Sequence, residues 1–357
     1  MKRKCLTTAI LSALLFVSAY PTVATATTVQ YDRDVFDSTV GDTYKDKLVA
    51  RHLEPIDTNS DEYDYHLTVT GGTVWRIYAA AIGTQDELDG YNPGTAVQDS
   101  VKIHTVSGNR IFVDGVTLNQ NHQSGVAVIG GGLVAHGFAN ENHVTISNTV
   151  IHDVYGGLSH HGSANRNEVI VNKGVEAGTY NKRVRYGVVW GGLVNEAADT
   201  HANLDHADSN RVVVNGSPDL YLGGVVGGEI RKKTSSSITG TVDGNVVIFN
   251  DGHARFAYGG VISSGEALNN EVFIHGGKIA GINGQDDGLV TGGDTDSGPA
   301  SNNQITITGG TIIGPVTGGR GSETDNNQIT IKGSPDLTKA TLVGGTEATG
   351  QGNTLNL

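Results

Sequence analysis

Four aspartates on one short stretch are the residues of this chain best suited to chemistry. GQDDGLVTGGDTDSG (residues 284–298) sets Asp286, Asp287, Asp294 and Asp296 around a Gly-rich bend. Carboxylates carried on neighbouring turns of backbone can converge on Ca²⁺, which takes about six to eight oxygen ligands. They can equally serve as the acid and base of glycan cleavage. Neither an EF-hand loop nor a nonapeptide Ca²⁺ repeat is present. A solvated turn rich in Asp and Gly accounts for the same residues.

A second group, THANLDHADSN (200–210), places His201, Asp205, His206 and Asp208 together, residue types that could hold zinc, but at a spacing that matches no standard site. SHHG (159–162) is a weaker signal of the same kind. Two basic islands, Lys182, Arg183 and Arg185 with Tyr186, and Arg231, Lys232 and Lys233, stand out on an acidic chain and could contact an acidic glycan. Polar loops explain them equally well. No nucleophile elbow, P-loop or dinucleotide fingerprint occurs. No catalytic, cofactor-binding or metal-ligating residue is assigned, and no cofactor is expected.

The elements that must position these residues repeat along the chain. NHVTIS (142–147), NEVIVN (167–172), NRVVVN (210–215), NVVIFN (245–250), NEVFIH (270–275), NQITIT (303–308) and NQITIK (327–332) share the pattern Asn, any, β-branched, any, β-branched or aromatic. NRIFVDG (109–115) and NTLNL (353–357) are weaker copies. A period of two with β-branched residues predicts half-buried strands. A run ending in a Gly pair accompanies the copies, as in DVYGG (153–157), YGVVWGG (186–192) and GPVTGG (314–319). The Asn positions 109, 142, 167, 210, 245, 270, 303, 327 and 353 step by 33, 25, 43, 35, 25, 33, 24 and 26. Steps near 25 read as one structural unit, and the longer ones as that unit with a loop inserted.

Such a unit cannot bury a core alone, so neighbours must stack, as in a solenoid. With equivalent strands ~4.8 Å apart, inward Val and Ile pile on those of the next coil, and about nine units give a stack on the order of 40–45 Å long. The recurring Asn is expected to form a side-chain amide ladder at a bend. The Gly pairs are expected where the backbone needs positive φ or close approach. The predicted fold is all-β, a parallel β-helix of about nine or ten coils with inserted loops over residues 66–357. The Asp-rich segment 27–65, which lacks Gly pairs, is expected to cap the first coil.

Composition agrees. There are 51 Gly in 357 residues, about twice the usual ~7%. Residues 1–26 have a basic start (Lys2, Arg3, Lys4), an apolar stretch from about Ala9 to Ala19, and Ala24-Thr25-Ala26, the form of a secretory signal peptide. The single Cys, Cys5, lies inside that segment, so the mature chain is expected to have no disulfide. Removing residues 1–26 takes away three positive charges and shifts the formal charge from −13 to −16. An acidic surface argues against nucleic acid or an anionic membrane as partner. No further transmembrane segment is expected.

Asn-x-Val-x-Ile strands alternating with Val-Tyr-Gly-Gly-type corners, after a signal peptide and without cysteines, resemble the passenger domain of a bacterial autotransporter. The likeness covers about 66–357 and the export signal. It implies a right-handed coil, and an adhesin-like protein at the cell surface or outer membrane, or extracellular, in a Gram-negative bacterium. The implied partners are host or bacterial surface proteins or glycans. The sequence departs from the family in lacking the C-terminal translocator barrel, which needs girdles of aromatic residues; none occurs after Phe273. The last repeat reads as cut mid-unit, so truncation is the expectation, with a separate transporter or a periplasmic product as the other routes. A secreted β-helical polysaccharide lyase or glycoside hydrolase using the 286–296 aspartates is the alternative function.

Overall fold

The structure is a computed structural model that describes residues 27–31, 47–53, 61–71, 73–74, 76–82, 103–118, 128–177, 179–180, 183–184, 187–197, 205–232, 240–281, 287–346 and 350–357. The signal segment lies outside the described residues. So do the stretches 119–127, 198–204, 233–239 and 282–286, where most of the extra length of the long repeat steps falls.

The described residues are all-β with no helix, and two long sheets account for most of them. An eleven-stranded sheet runs in sequence order from Thr27–Tyr31 through Tyr65–Thr70, Arg110–Asp114 and His143–Ser147 to Thr354–Asn356, every neighbouring pair parallel. Its strands from Arg110–Asp114 onward are the Asn-headed repeats, paired without slippage. Ile146 faces Val171, then Val214, Phe249, Ile274 and Ile307 on successive strands. These residues are buried in one continuous core with Val169, Val212, Val247 and Val272. Burying each such side chain stabilises the fold by roughly 1.5–3 kcal/mol, and the neighbouring repeats, together with residues such as Val154, Val189 and Val225, supply the surface to bury it against.

A fourteen-stranded sheet holds Arg76–Ile82, which has alanines in place of a Gly pair, and the Gly-pair segments, among them Val128–Asn140, Asp153–Ser163, Val188–Ala197, Tyr221–Lys232, His253–Leu268, Leu289–Ser297, Thr311–Arg320 and Asp336–Gly345. In the earlier coils a third, short parallel sheet, Thr73–Val74, Thr117–Leu118, Val150–Ile151 and Glu176–Ala177, lies between the two in chain order. This architecture is consistent with a parallel β-helix or solenoid. In segment 27–65, Thr27–Tyr31 adds to the first sheet and Lys47–Leu53 to the second.

The amide ladder is present. The Nδ2 of Asn109 donates to the Oδ1 of Asn142 at 2.8 Å, Asn142 to Asn167, Asn167 to Asn210, Asn210 to Asn245, Asn245 to Asn270, Asn270 to Asn303 and Asn303 to Asn327, the last six at 3.0 Å. Each acceptor oxygen also takes the backbone N–H of the preceding Asn, and this contact extends the series from Asn327 to Asn353. The bend that presents each Asn is left-handed at the residue before it. Gly108, Glu141, Arg166, Ser209, Gly244, Asn269, Asn302, Asn326 and Gly352 all have φ between 53° and 71°.

The Gly pairs do the other half of this work. Gly191 and Gly192 have no positive φ; they lie under the ladder. A Cβ on Gly191 would sit 2.5 Å from the carbonyl oxygen of Gly227 and 2.8 Å from the Cβ of Asn210, and one on Gly192 would sit 2.6 Å from the Asn210 amide nitrogen. The same relation joins Gly156 and Gly157 to Asn167, Gly227 and Gly228 to Asn245, and Gly292 and Gly293 to Asn303. The requirement is close approach, and positive φ is met elsewhere.

Candidate functional site

In a regular strand, successive side-chain directions alternate between the two faces. Both members of each Gly pair are directed at the same Asn, so the strand bends there and the residues flanking the pair emerge on the same outer face. Tyr155 and Leu158 flank Gly156-Gly157, and Trp190 and Leu193 flank Gly191-Gly192. All four belong to one buried apolar cluster separate from the main core. The bend therefore produces a surface against which coils align two columns. Before the pair stand Tyr155, Trp190, Val226, Tyr258, Thr291 and Thr317; after it stand Leu158, Leu193, Glu229, Val261, Asp294 and Arg320.

Along the stack the first column changes from aromatic to hydroxyl-bearing and the second from apolar to charged. The rings of Tyr155 and Trp190 stack with centroids 4.8 Å apart and planes at 12°. The Arg231 guanidinium lies 5.0 Å from the Trp190 ring centroid, within cation–π range. Glu229 accepts from the indole N–H of Trp190 at 2.5 Å and from Nε of Arg231 at 2.7 Å. Two coils further on, Arg320 donates to Asp294 at 2.6 Å. Phe256 and Tyr258, both half-buried, have ring centroids 5.2 Å apart. Trp190, Glu229, Arg231, Phe256, Tyr258, Asp294 and Arg320 line an open groove of about 510 Å³ with His152, Asp153, Val188, Val261, Ser263 and Asp296 on its walls, and Tyr155 lies behind Trp190.

Burial sets the protonation behaviour of the groove. It pushes the Asp294 carboxyl up, against the pull of Arg320. It pushes the Tyr258 phenol up to about 12, helped by Asp294, and raises Tyr155 well above the ordinary phenol range. The carboxyls can accept hydrogen bonds and the guanidinium groups can donate them, while the rings offer apolar faces.

The four aspartates singled out in the sequence do not form one site. Asp294 and Asp296 line the groove, Asp287 pairs with Arg255 at 2.5 Å outside it, and Asp286 lies outside the described residues. In the His/Asp group, His201 lies outside the described residues. Asp205 is buried, which pushes its carboxyl up to about 7 against the pull of His206 and of the Gly162 N–H. His206 contacts the Thr241 hydroxyl at 2.7 Å, and Asp208 accepts from Thr241 and from the Asp243 backbone, a turn-holding arrangement. His161 stacks on His136 of the neighbouring coil, with centroids 4.8 Å apart and planes at 10°. Among the described residues no group of three or more His, Cys, Asp or Glu side chains is placed to hold a metal ion.

Of the basic islands, Arg231 enters the groove. Arg183 and Lys232 lie on strands, and Lys182, Arg185, Tyr186 and Lys233 fall outside the described residues. The groove residues that motif reading misses are Trp190, Glu229, Phe256, Tyr258 and Arg320. The available signal was positional: four of them directly flank a Gly pair, in VWGGL, VVGGE, AYGGV and VTGGR.

No helix of the described residues is long and apolar enough to cross a membrane. Comparison of the chain with protein-family models, with curated proteins and with solved structures gives no match.

Proposed function

We propose that this chain is a right-handed parallel β-helix of about nine or ten coils. It is exported under the direction of residues 1–26 and acts at the surface of a Gram-negative cell as a structural and adhesive element, in the manner of an autotransporter passenger. The observation that carries the reading is the unbroken run of nine ladder asparagines over a core in strict register. A stack held by such a run is stiff and elongated. Binding groups on rigid scaffolds of this kind sit on inserted loops or in grooves along the side. Right-handed coiling is the hand that β-crossover-β connections between parallel strands take almost without exception.

The test is surface display of the chain fused to a translocator barrel. Displaying cells are expected to adhere to host cells or to aggregate, measured by counts of bound cells and by sedimentation. Cells that expose the chain to external protease yet neither adhere nor aggregate would reject the adhesive role.

A second reading, glycan cleavage, is favoured by one observation: Asp294 is a buried groove carboxyl whose burial keeps its proton to higher pH. A depolymerisation assay on neutral and acidic polysaccharides, with Asp294→Asn alongside, separates the two. No turnover by the folded protein counts against the enzyme for the substrates used.

A further inference from the structure

We propose that the groove beside the Gly-pair bend binds an uncharged linear oligosaccharide, whose rings lie on Phe256 and Tyr258 and whose hydroxyls bond to Glu229, Asp294 and Arg320. This rests on the adhesive reading above and adds the ligand class to it.

The aromatic wall is laid out for stacking. A Cβ on Gly224 would collide with the Cδ2, Cε2 and Cζ atoms of Phe256, so the ring lies across the neighbouring coil at a position where no side chain intervenes. Phe256 stays half-buried, with Tyr258 tilted beside it at 56°. Such rings suit a ligand with an apolar face and a polar rim. A pyranose ring has both, its axial C–H groups on the face and its hydroxyls at the rim.

The column after the Gly pair supplies matching polar groups already fixed in place. Glu229 is held by Trp190 and Arg231, and Asp294 by Arg320. A carboxylate can accept about four hydrogen bonds and a guanidinium can donate about five, so each retains capacity. Hydroxyls both donate and accept, and can use both kinds of group.

Charge selects against acidic chains. The carboxyls of Asp153, Glu229, Asp294 and Asp296 outnumber the guanidinium groups of Arg231 and Arg320 on the groove walls, and both arginines are already engaged with carboxylates. Polyanionic sugar would meet net repulsion.

Shape selects a chain. The rows of Trp190, Val226, Tyr258, Thr291 and Thr317 follow one another in register, four spacings that amount to ~19 Å. An extended peptide would fit that length, but it gains affinity chiefly from backbone pairing at an open sheet edge. Here the strands on both sides of the groove rows are already paired.

The mature chain is titrated with neutral hexasaccharides (β-1,4-glucan, α-1,4-glucan and mannan series), with an oligogalacturonate and with an unstructured decapeptide, read by calorimetry and tryptophan fluorescence. At least one neutral hexasaccharide is expected to bind with a micromolar to millimolar Kd. Phe256→Ala and Asp294→Asn are each expected to weaken it tenfold or more, and Asp287→Asn, outside the groove, is expected to leave it unchanged. Circular dichroism verifies folding, and the exposed rim variant Asp296→Asn, expected to weaken binding severalfold, takes over if either of those two variants fails to fold. Absence of binding by every neutral probe overturns the proposal. So does tighter binding of the oligogalacturonate or the peptide, or equal affinity in all variants. Adhesion of displaying cells is followed in parallel. Adhesion that persists in excess hexasaccharide rejects the ligand class but leaves the adhesive role, whereas hexasaccharide binding without adhesion does the reverse.

Discussion

Asn210 shows why one residue type recurs where it does. Its Oδ1 accepts from both the backbone N–H and the Nδ2 of Asn167, and its own Nδ2 donates to Asn245. It is fully buried. Gln is longer than the space above the Gly pair, and Asp cannot donate. Replacing Asn210 by Ala strips two buried donors of Asn167 of an acceptor, at about 1–3 kcal/mol each, and is expected to destabilise the protein by roughly 2–5 kcal/mol. Asn353 is partly exposed and, among the described residues, accepts the Asn327 backbone N–H without an Nδ2 donor from that Asn, so Asn353→Ala is expected to cost about 1 kcal/mol or less. Urea unfolding of the two variants checks this ordering. Equal losses would mean that the ladder's worth does not lie in burial.

At the scale of the element, two motifs that look independent in the sequence turn out to be one device. The Gly pair and the Asn that follows it are 11 residues apart at Gly156 and Asn167 and at Gly292 and Asn303, 18 apart at Gly227 and Asn245, and 19 apart at Gly191 and Asn210, yet they touch in every case. Gly191→Ala is therefore expected to behave as a ladder mutation. The added methyl cannot fit 2.5 Å from the Gly227 carbonyl oxygen, the strand must shift, and the loss of stability is expected at about 1–3 kcal/mol, the usual range for overpacking. Gly192→Ala, whose methyl would sit 2.6 Å from the Asn210 amide nitrogen, combined with Asn210→Ala, which removes that amide, should lose less than the sum of the two single losses in a double-mutant cycle; full additivity would show that the pair and the ladder act separately. This coupling explains which parts of the fold were legible. NEVIVN and VWGG are visible because strand period and missing side chains leave a mark on residue type. The left-handed residue before each Asn leaves none, since Gly, Glu, Arg, Ser and Asn all occupy it. The groove was hidden for a related reason. Trp190, Glu229 and Arg320 are each one letter beside a Gly pair, and only the stacking of coils up to 130 residues apart brings them onto one wall. The aspartates at 286–296 drew attention because they cluster in the chain, whereas Asp287 and Asp294 pair with different arginines.

For the whole molecule, the decisive property is that each coil touches mainly the coil before and the coil after. Stability in such a stack is approximately a sum of coil terms and nearest-neighbour interfaces, so opening should be local. Strands Arg211–Val214 and Val246–Phe249 are covered on both sides, and their inward residues are buried. The residues of Thr354–Asn356 are exposed. Amide hydrogen exchange should accordingly be slowest in the middle strands and fastest in that terminal one, following local rather than global opening. Asn210→Ala sharpens the test. If coupling runs only between neighbours, exchange should quicken in Glu168–Val171, Arg211–Val214 and Val246–Phe249, whereas Gln304–Ile307, three strands beyond the site's own, keeps its rate. An equal acceleration in every strand would mean that the core of Val and Ile opens as one cooperative unit. The ladder would then serve to fix register rather than to divide the stack into semi-independent coils. The same measurement bears on how a stack of coils avoids unravelling: local opening confines damage to the coil where it starts, so an outer coil can open while the groove stays intact.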